Sequence, residues 1–305
     1  MTTLESRYRL LMRAYPRSYR TGHGEELLGT LLEEARPSQR LPPIREATAL
    51  VREGLRTRVL HSARGPAWVQ GVHLGVLMLS IVNLAQLFPY FRSIPVWVGV
   101  SALAVLAVMR GRVRLALPLV LATTAKMSTL ATGVQFPVDI TLIPVFPDRG
   151  WLPVLPDEGI SRALFSEGGP WAPLLSYGVT IAGLAVLAGR RQAPGNRSWW
   201  WPVLIPFVAG VDPAAGLTGV LGSPRTLTRA VLEIALVLFA LWATCVVRDH
   251  RWAVAAGVYL IAASVYFVED VFHLTRSDYA HLGILLFLTV VAAGIAYREQ
   301  RHVIL

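Results

Sequence analysis

The chain has 305 residues, is 54% hydrophobic and carries a formal net charge of +10. Its apolar content exceeds that of ordinary soluble domains. The positive charge flanks apolar stretches with no basic helix or aromatic-interleaved platform, which argues against a nucleic-acid partner. A single cysteine, Cys245, rules out an intramolecular disulfide and any cysteine-based metal cluster.

The first 67 residues contain no continuous apolar core and read as three short amphipathic helices. The first covers 4–14 and stops at Tyr15-Pro16, because the residue before a proline disfavours the helical region. Gly22 and Gly24 are expected to loosen the chain before a second helix over 25–34. Leu27, Leu28, Leu31 and Leu32 share one face of that helix and are candidate contacts for a docked partner. Pro42-Pro43 opens a third helix, with Ile44, Ala47, Leu50, Val51, Leu55 and Val59 along one side. Three such stripes can be buried on one another, on the membrane surface or on a partner.

The run Tyr8-Arg9-Leu10-Leu11, Tyr15-Pro16, Tyr19-Arg20, Gly24-Glu25-Glu26-Leu27-Leu28 and Leu31-Leu32 resembles a known helical prefix. That prefix precedes the spans of some macrolide-exporter-like ABC permeases and of many uncharacterised actinobacterial integral membrane proteins. The resemblance implies a cytoplasmic regulatory or assembly module without catalytic residues. The chain looks like a stand-alone member of the second group.

From residue 68 onward the sequence predicts an all-α transmembrane bundle of about eight spans. They cover 68–88, 95–109, 115–133, 173–189, 200–222, 230–247, 252–268 and 282–296. Most reach the roughly 17 to 25 residues that a hydrocarbon core of about 30 Å requires. With the N-terminus in the cytoplasm, ten arginines fall in the cytoplasmic loops and tail, twelve in the first 67 residues and six outside. This positive-inside bias favours an even number of spans with both termini cytoplasmic. The expected location is a bacterial plasma membrane. All basic side chains but Lys126 are arginine, as a GC-rich genome would produce.

Ionisable groups at membrane depth are costly, so each is a functional candidate. Lys126 lies near the middle of the third span and Asp212 at similar depth in the fifth. They could form a structural pair, line a substrate or ion site, or not touch. Pro202, Pro206, Gly210, Pro213 and Gly216 interrupt the fifth span, as in the discontinuous helices around transporter sites. Glu233, near the outer end of the sixth span, has Arg225 and Arg229 as expected partners. His73 reads as a satisfied interfacial histidine. Glu269, Asp270, His273, Asp278 and His281 gather at the outer end of the seventh span. They match no established zinc spacing and read as a solvated loop face. A long external segment, 134–172, is rich in proline and tryptophan.

No Gly-x-Ser-x-Gly, paired intramembrane aspartate motif or Walker loop is present, so no catalytic, cofactor-binding or metal residue is expected. Two functions remain. One is a non-enzymatic signalling, regulatory or scaffold protein whose prefix docks a cytoplasmic partner. The other is a transporter or ABC-permease-like component moving a small or hydrophobic solute, with an ATPase subunit or an ion gradient as its drive. The lipid bilayer is the common partner, and homo-oligomerisation is compatible with either.

Overall fold

A computed structural model describes residues 3–35, 39, 41–62, 66–91, 93–132, 170–190, 195, 197, 201–203, 205, 208, 227–269 and 275–304. Among them every regular element is a helix. The prefix contains α1 (Thr3–Leu11), α2 (Arg17–Glu33) and α3 (Ile44–Ser62). The bundle contains α4 (Ala67–Leu87), α5 (Pro95–Met109), α6 (Val113–Thr132), α7 (Trp171–Ala188), α8 (Leu227–Val247), α9 (Arg251–Glu269) and α10 (Arg276–Ile304). Six of these, α4 and α6 to α10, are long and apolar enough to cross a bilayer. The chain's described residues are all-helical, and these apolar helices make it a membrane protein. At 15 residues α5 is shorter, about 22 Å at 1.5 Å per residue. Of the expected fifth span, only 201–203, 205 and 208 are described, and Asp212 lies outside the described residues. The expected external loop also lies outside them, except for 170–172.

Helix α4 is the axis of the bundle. Its best apolar window is 72% buried, against 22 to 35% for the other five spanning helices. It packs against α5, α7 and α9. Two glycines set the approach to α9. A Cβ at Gly71 would sit 2.6 Å from the Arg251 carbonyl oxygen, and one at Gly75 would sit 2.7 Å from Val258 Cβ. Small residues four apart on a helix let backbones come close, and dispersion then takes over the role that water expulsion plays in soluble cores. Polar groups add direction: the Ser176 hydroxyl on α7 donates to Asn83 Oδ1 on α4 at 2.7 Å, in a buried site. The outer helices turn large apolar side chains outward, among them Leu121, Ile261 and Phe287, as a lipid-facing surface requires.

Helix α5 ends in a Schellman turn. Gly111 takes φ 67°, and the amides of Gly111 and Arg112 donate to the carbonyls of Val108 (2.9 Å) and Ala107 (2.8 Å). The sharp reversal aims α6 back along α5.

The prefix folds on itself. Leu4, Tyr8, Met12, Tyr15, Leu28, Leu31 and Leu50 form one buried cluster. Two details correct the sequence reading. Helix α2 begins at Arg17 and runs through Gly22 and Gly24; Gly24 is buried close to the Met12 side chain. On α3, Leu50 and Val59 are buried while Ile44 and Leu55 of the expected stripe are exposed. The inner face of α3 is set instead by Gly54, where a Cβ would stand 2.7 Å from Ala14 Cβ.

Candidate functional site

The strongest concentration of unusual chemistry lies where α8 packs against α9 and α10. Glu233 on α8 and His281 on α10 are both buried, 7% and 6% exposed. Glu233 Oε2 and His281 Nε2 are 2.8 Å apart. The two residues stand six and five positions into helices that begin at the same end of the bundle, so a rise of 1.5 Å per residue brings them to nearly equal depth. With the proton on the ring, Nε2 donates to the carboxylate; with it on Glu233, the carboxyl O–H donates to Nε2, so the two groups share one proton. Nδ1 of His281 is buried without a hydrogen-bond partner.

Glu233 also borders a cleft of about 70 Å³ between α4, α8 and α9. Leu74 and Met78 form its floor, Ala255, Ala256 and Tyr259 one wall, and Val237 and Ala240 the other. Trp201, Phe239 and Trp252 add aromatic surface. Phe239 meets Trp252 edge-on with centroids 5.6 Å apart. It is 43% exposed and stands at the rim. Glu233 is the only ionisable carboxylate in this lining. An apolar, aromatic recess with one carboxylate suits a hydrophobic ligand bearing a hydrogen-bond donor or a positive charge.

The cleft is physically continuous with the prefix. Val59 of α3 belongs to the same apolar cluster as Leu74, Ala240, Trp252, Ala255 and Ala256, five residues that also line the cleft. A change in the cleft walls therefore bears directly on α3.

The residues expected at the outer end of α9 have separate jobs. The Glu269 carboxylate accepts the backbone amides of Trp171 (2.9 Å) and Ala172 (2.8 Å), and so caps α7 from another helix. Asp278 accepts from the Thr275 amide and hydroxyl at 2.8 and 2.7 Å. This is the reciprocal half of a capping box at the start of α10. His281 leaves the expected loop face altogether, being buried against Glu233. Asp270 and His273 lie outside the described residues. Among those described, no group of three metal-ligating side chains forms.

Other expected residues are also placed. Lys126 is buried in α6, a helix that packs on α5 and α7; its pairing with Asp212 lies outside the described residues. The side chains of Arg225 and Arg229, expected beside Glu233, lie outside them as well. Of the four leucines expected on a docking face, Leu28 and Leu31 are inside the core of the prefix, and Leu27 and Leu32 pack at its edge. That burial leaves Leu28 and Leu31 no surface to offer a partner.

His73 is satisfied, as its position suggested, and it is fully buried between helices. Arg197 Nε donates to its Nδ1 at 3.3 Å, and its Nε2 therefore donates to the Val108 carbonyl at 2.8 Å. Sequence reasoning missed Arg197 as a site residue. Its Nη2 donates to both the carbonyl and the side-chain oxygen of Gln70 (2.9 and 2.8 Å). Its amide donates to the Met109 carbonyl at 2.8 Å. The alignment of Gln70 and His73 near the start of an apolar helix was the available signal.

Comparison with protein-family models, with curated proteins and with solved structures returns no match. The chemistry of the cleft therefore rests on these side chains.

Proposed function

We propose that this chain is a non-enzymatic signalling or regulatory membrane protein, in which the bundle binds a hydrophobic ligand in the α4–α8–α9 cleft and the prefix relays occupancy to a cytoplasmic partner. One observation carries the reading: the cleft wall and Val59 of α3 share a single apolar cluster. Packed cores respond to added volume by shifting rather than compressing. A ligand that parts α8 from α9 would displace α3 with them. A partner would meet the prefix at the edge of α2, near Leu27 and Leu32. The reading includes eight spans, a bacterial plasma membrane and both termini in the cytoplasm, which the arginine asymmetry supports. It also keeps the resemblance to actinobacterial proteins with a permease-like prefix.

The test fills the cleft from within. Ala256→Phe should alter hydrogen exchange over 50–60 of α3 in the detergent-purified chain while leaving α5 and α6 unchanged. Identical protection of α3 in both proteins would remove the relay.

The Glu233–His281 pair favours a second reading, a transport component for a lipophilic cation. Proteoliposomes loaded by a proton gradient should then accumulate tetraphenylphosphonium, and Glu233→Gln should abolish the uptake. No uptake by the wild-type chain would leave the first reading alone.

A further inference from the structure

We propose that Arg197 and Arg251 form a binding site for a phosphate group, supplied by an anionic lipid headgroup or by free phosphate. The two arginines come from separate parts of the chain and converge on one turn of α4. Arg197 holds Gln70 through its guanidinium. The Arg251 backbone lies against the next residue, Gly71, where only a hydrogen leaves room for its carbonyl.

Among the described residues the site is short of negative charge. Arg251 is 7% exposed, and its Nε meets Asp249 Oδ2 at 2.6 Å. Its Nη1 is buried with no hydrogen-bond partner. The oxygens that Arg197 contacts belong to Gln70 and are neutral. Burial and the positive charge of Arg251 push the Arg197 guanidinium down to about 10. Asp249 pairs with Arg251 alone, and the charge on Arg197 meets neutral partners in a partly desolvated site. An unpartnered buried donor and an uncompensated charge are both costly, and a phosphate would relieve both with charge-assisted bonds. Arg197 is half-buried, which leaves a way in. A third arginine, Arg190, is anchored at the same end of the bundle with its guanidinium 4.3 Å from the centre of the Trp68 ring. Basic pockets between helices at a membrane surface are suited to phosphorylated headgroups.

The inference is independent of the cleft and can be tested without knowing the cleft's ligand. The full chain is purified in neutral detergent, and its unfolding temperature is measured in sodium phosphate and in sodium chloride of equal ionic strength. It is then measured in nanodiscs of phosphatidylcholine alone or with one third phosphatidylglycerol. Stabilisation by phosphate and by phosphatidylglycerol assigns the site to the phosphate group itself. Stabilisation by phosphatidylglycerol alone assigns it to a lipid headgroup, and by phosphate alone to the free ion. In each case Arg197→Gln and Arg251→Gln should weaken the apparent affinity by roughly tenfold or more. Arg45→Gln, on the exposed side of α3, should leave it unchanged. Arg197→Lys, which keeps the charge but loses the forked geometry, serves if a glutamine variant does not fold. The proposal is overturned if neither phosphate nor phosphatidylglycerol stabilises the wild-type chain. It is equally overturned if the arginine variants respond as the wild type does.

Discussion

The two ends of the bundle are tied across helices by different groups. At the end shared with the prefix, arginines meet backbone carbonyls and amide oxygens: Arg197 holds the last turn of α5 to the first turn of α4. At the far end carboxylates meet backbone amides: Glu269 caps α7, and Asp278 caps α10. At the far end the match follows helix polarity, since exposed amides begin α7 and α10; at the near end it is the Arg197 backbone amide that takes the Met109 carbonyl ending α5. The comparison teaches that the arginine asymmetry used to orient the chain also has a structural side. The residues that mark the ends help to hold the helices together.

Breaking the far end should have the largest effect. His281→Leu removes a hydrogen-bond partner of a buried carboxylate and should destabilise the bundle by about 3 to 5 kcal/mol. Adding Glu233→Leu should recover most of that loss, because a buried pair replaced as a unit costs little. Denaturant unfolding in mixed micelles measures both, and equal losses in the single and double variants would contradict the pairing.

At the opposite end, Arg197→Ala deletes three side-chain hydrogen bonds but keeps the amide bond to Met109. A loss of about 2 to 3 kcal/mol is expected, with faster hydrogen exchange confined to the α4–α5 junction. Uniformly raised exchange would show that Arg197 has no special hold there.

Glu269→Ala comes next, at about 1 to 2 kcal/mol, the scale of a lost helix cap. Its signature is fraying of α7 from Trp171, readable by protease sensitivity near that residue. Glu269→Gln should keep part of the cap, since an amide oxygen still accepts.

The smallest effect lies in the prefix. Tyr8 is fully buried and donates to Glu46 Oε2 at 2.7 Å. Burial first, and then the hydrogen bond to Glu46, raise its phenol to about 12. Folding favours the protonated form, so this stability is complete below about pH 10 and is lost as pH rises toward 12. Tyr8→Phe should remove the hydrogen bond at a cost of about 1 kcal/mol and flatten that alkaline decline. Absorbance of the phenolate at high pH follows the titration, and an ordinary tyrosine midpoint would refute the burial.

Much of the architecture was legible because a bilayer constrains composition directly. The boundaries of α4, α5 and α8 lie within a few residues of the expected spans, since a helix must stay apolar across the hydrocarbon. The start of α10 was misplaced, at 282 rather than Arg276, because Thr275-x-x-Asp278 reads as loop until its two ends are seen bonded to each other. Gly22 and Gly24 misled for a related reason: glycine weakens a helix in isolation, yet α2 runs through both because its tertiary packing outweighs that local cost.

By itself, then, the sequence determined the helical class, the apolar helices and the sorting of positive charge, all of which follow from local composition and a period of 3.6 residues. Only the tertiary structure decided that Glu233 meets His281, that Glu269 caps a helix 97 residues away from it in sequence, and that Arg197 turns inward. Those pairings join residues on different helices. Their energies depend on rotation and depth after packing, which no single helix encodes.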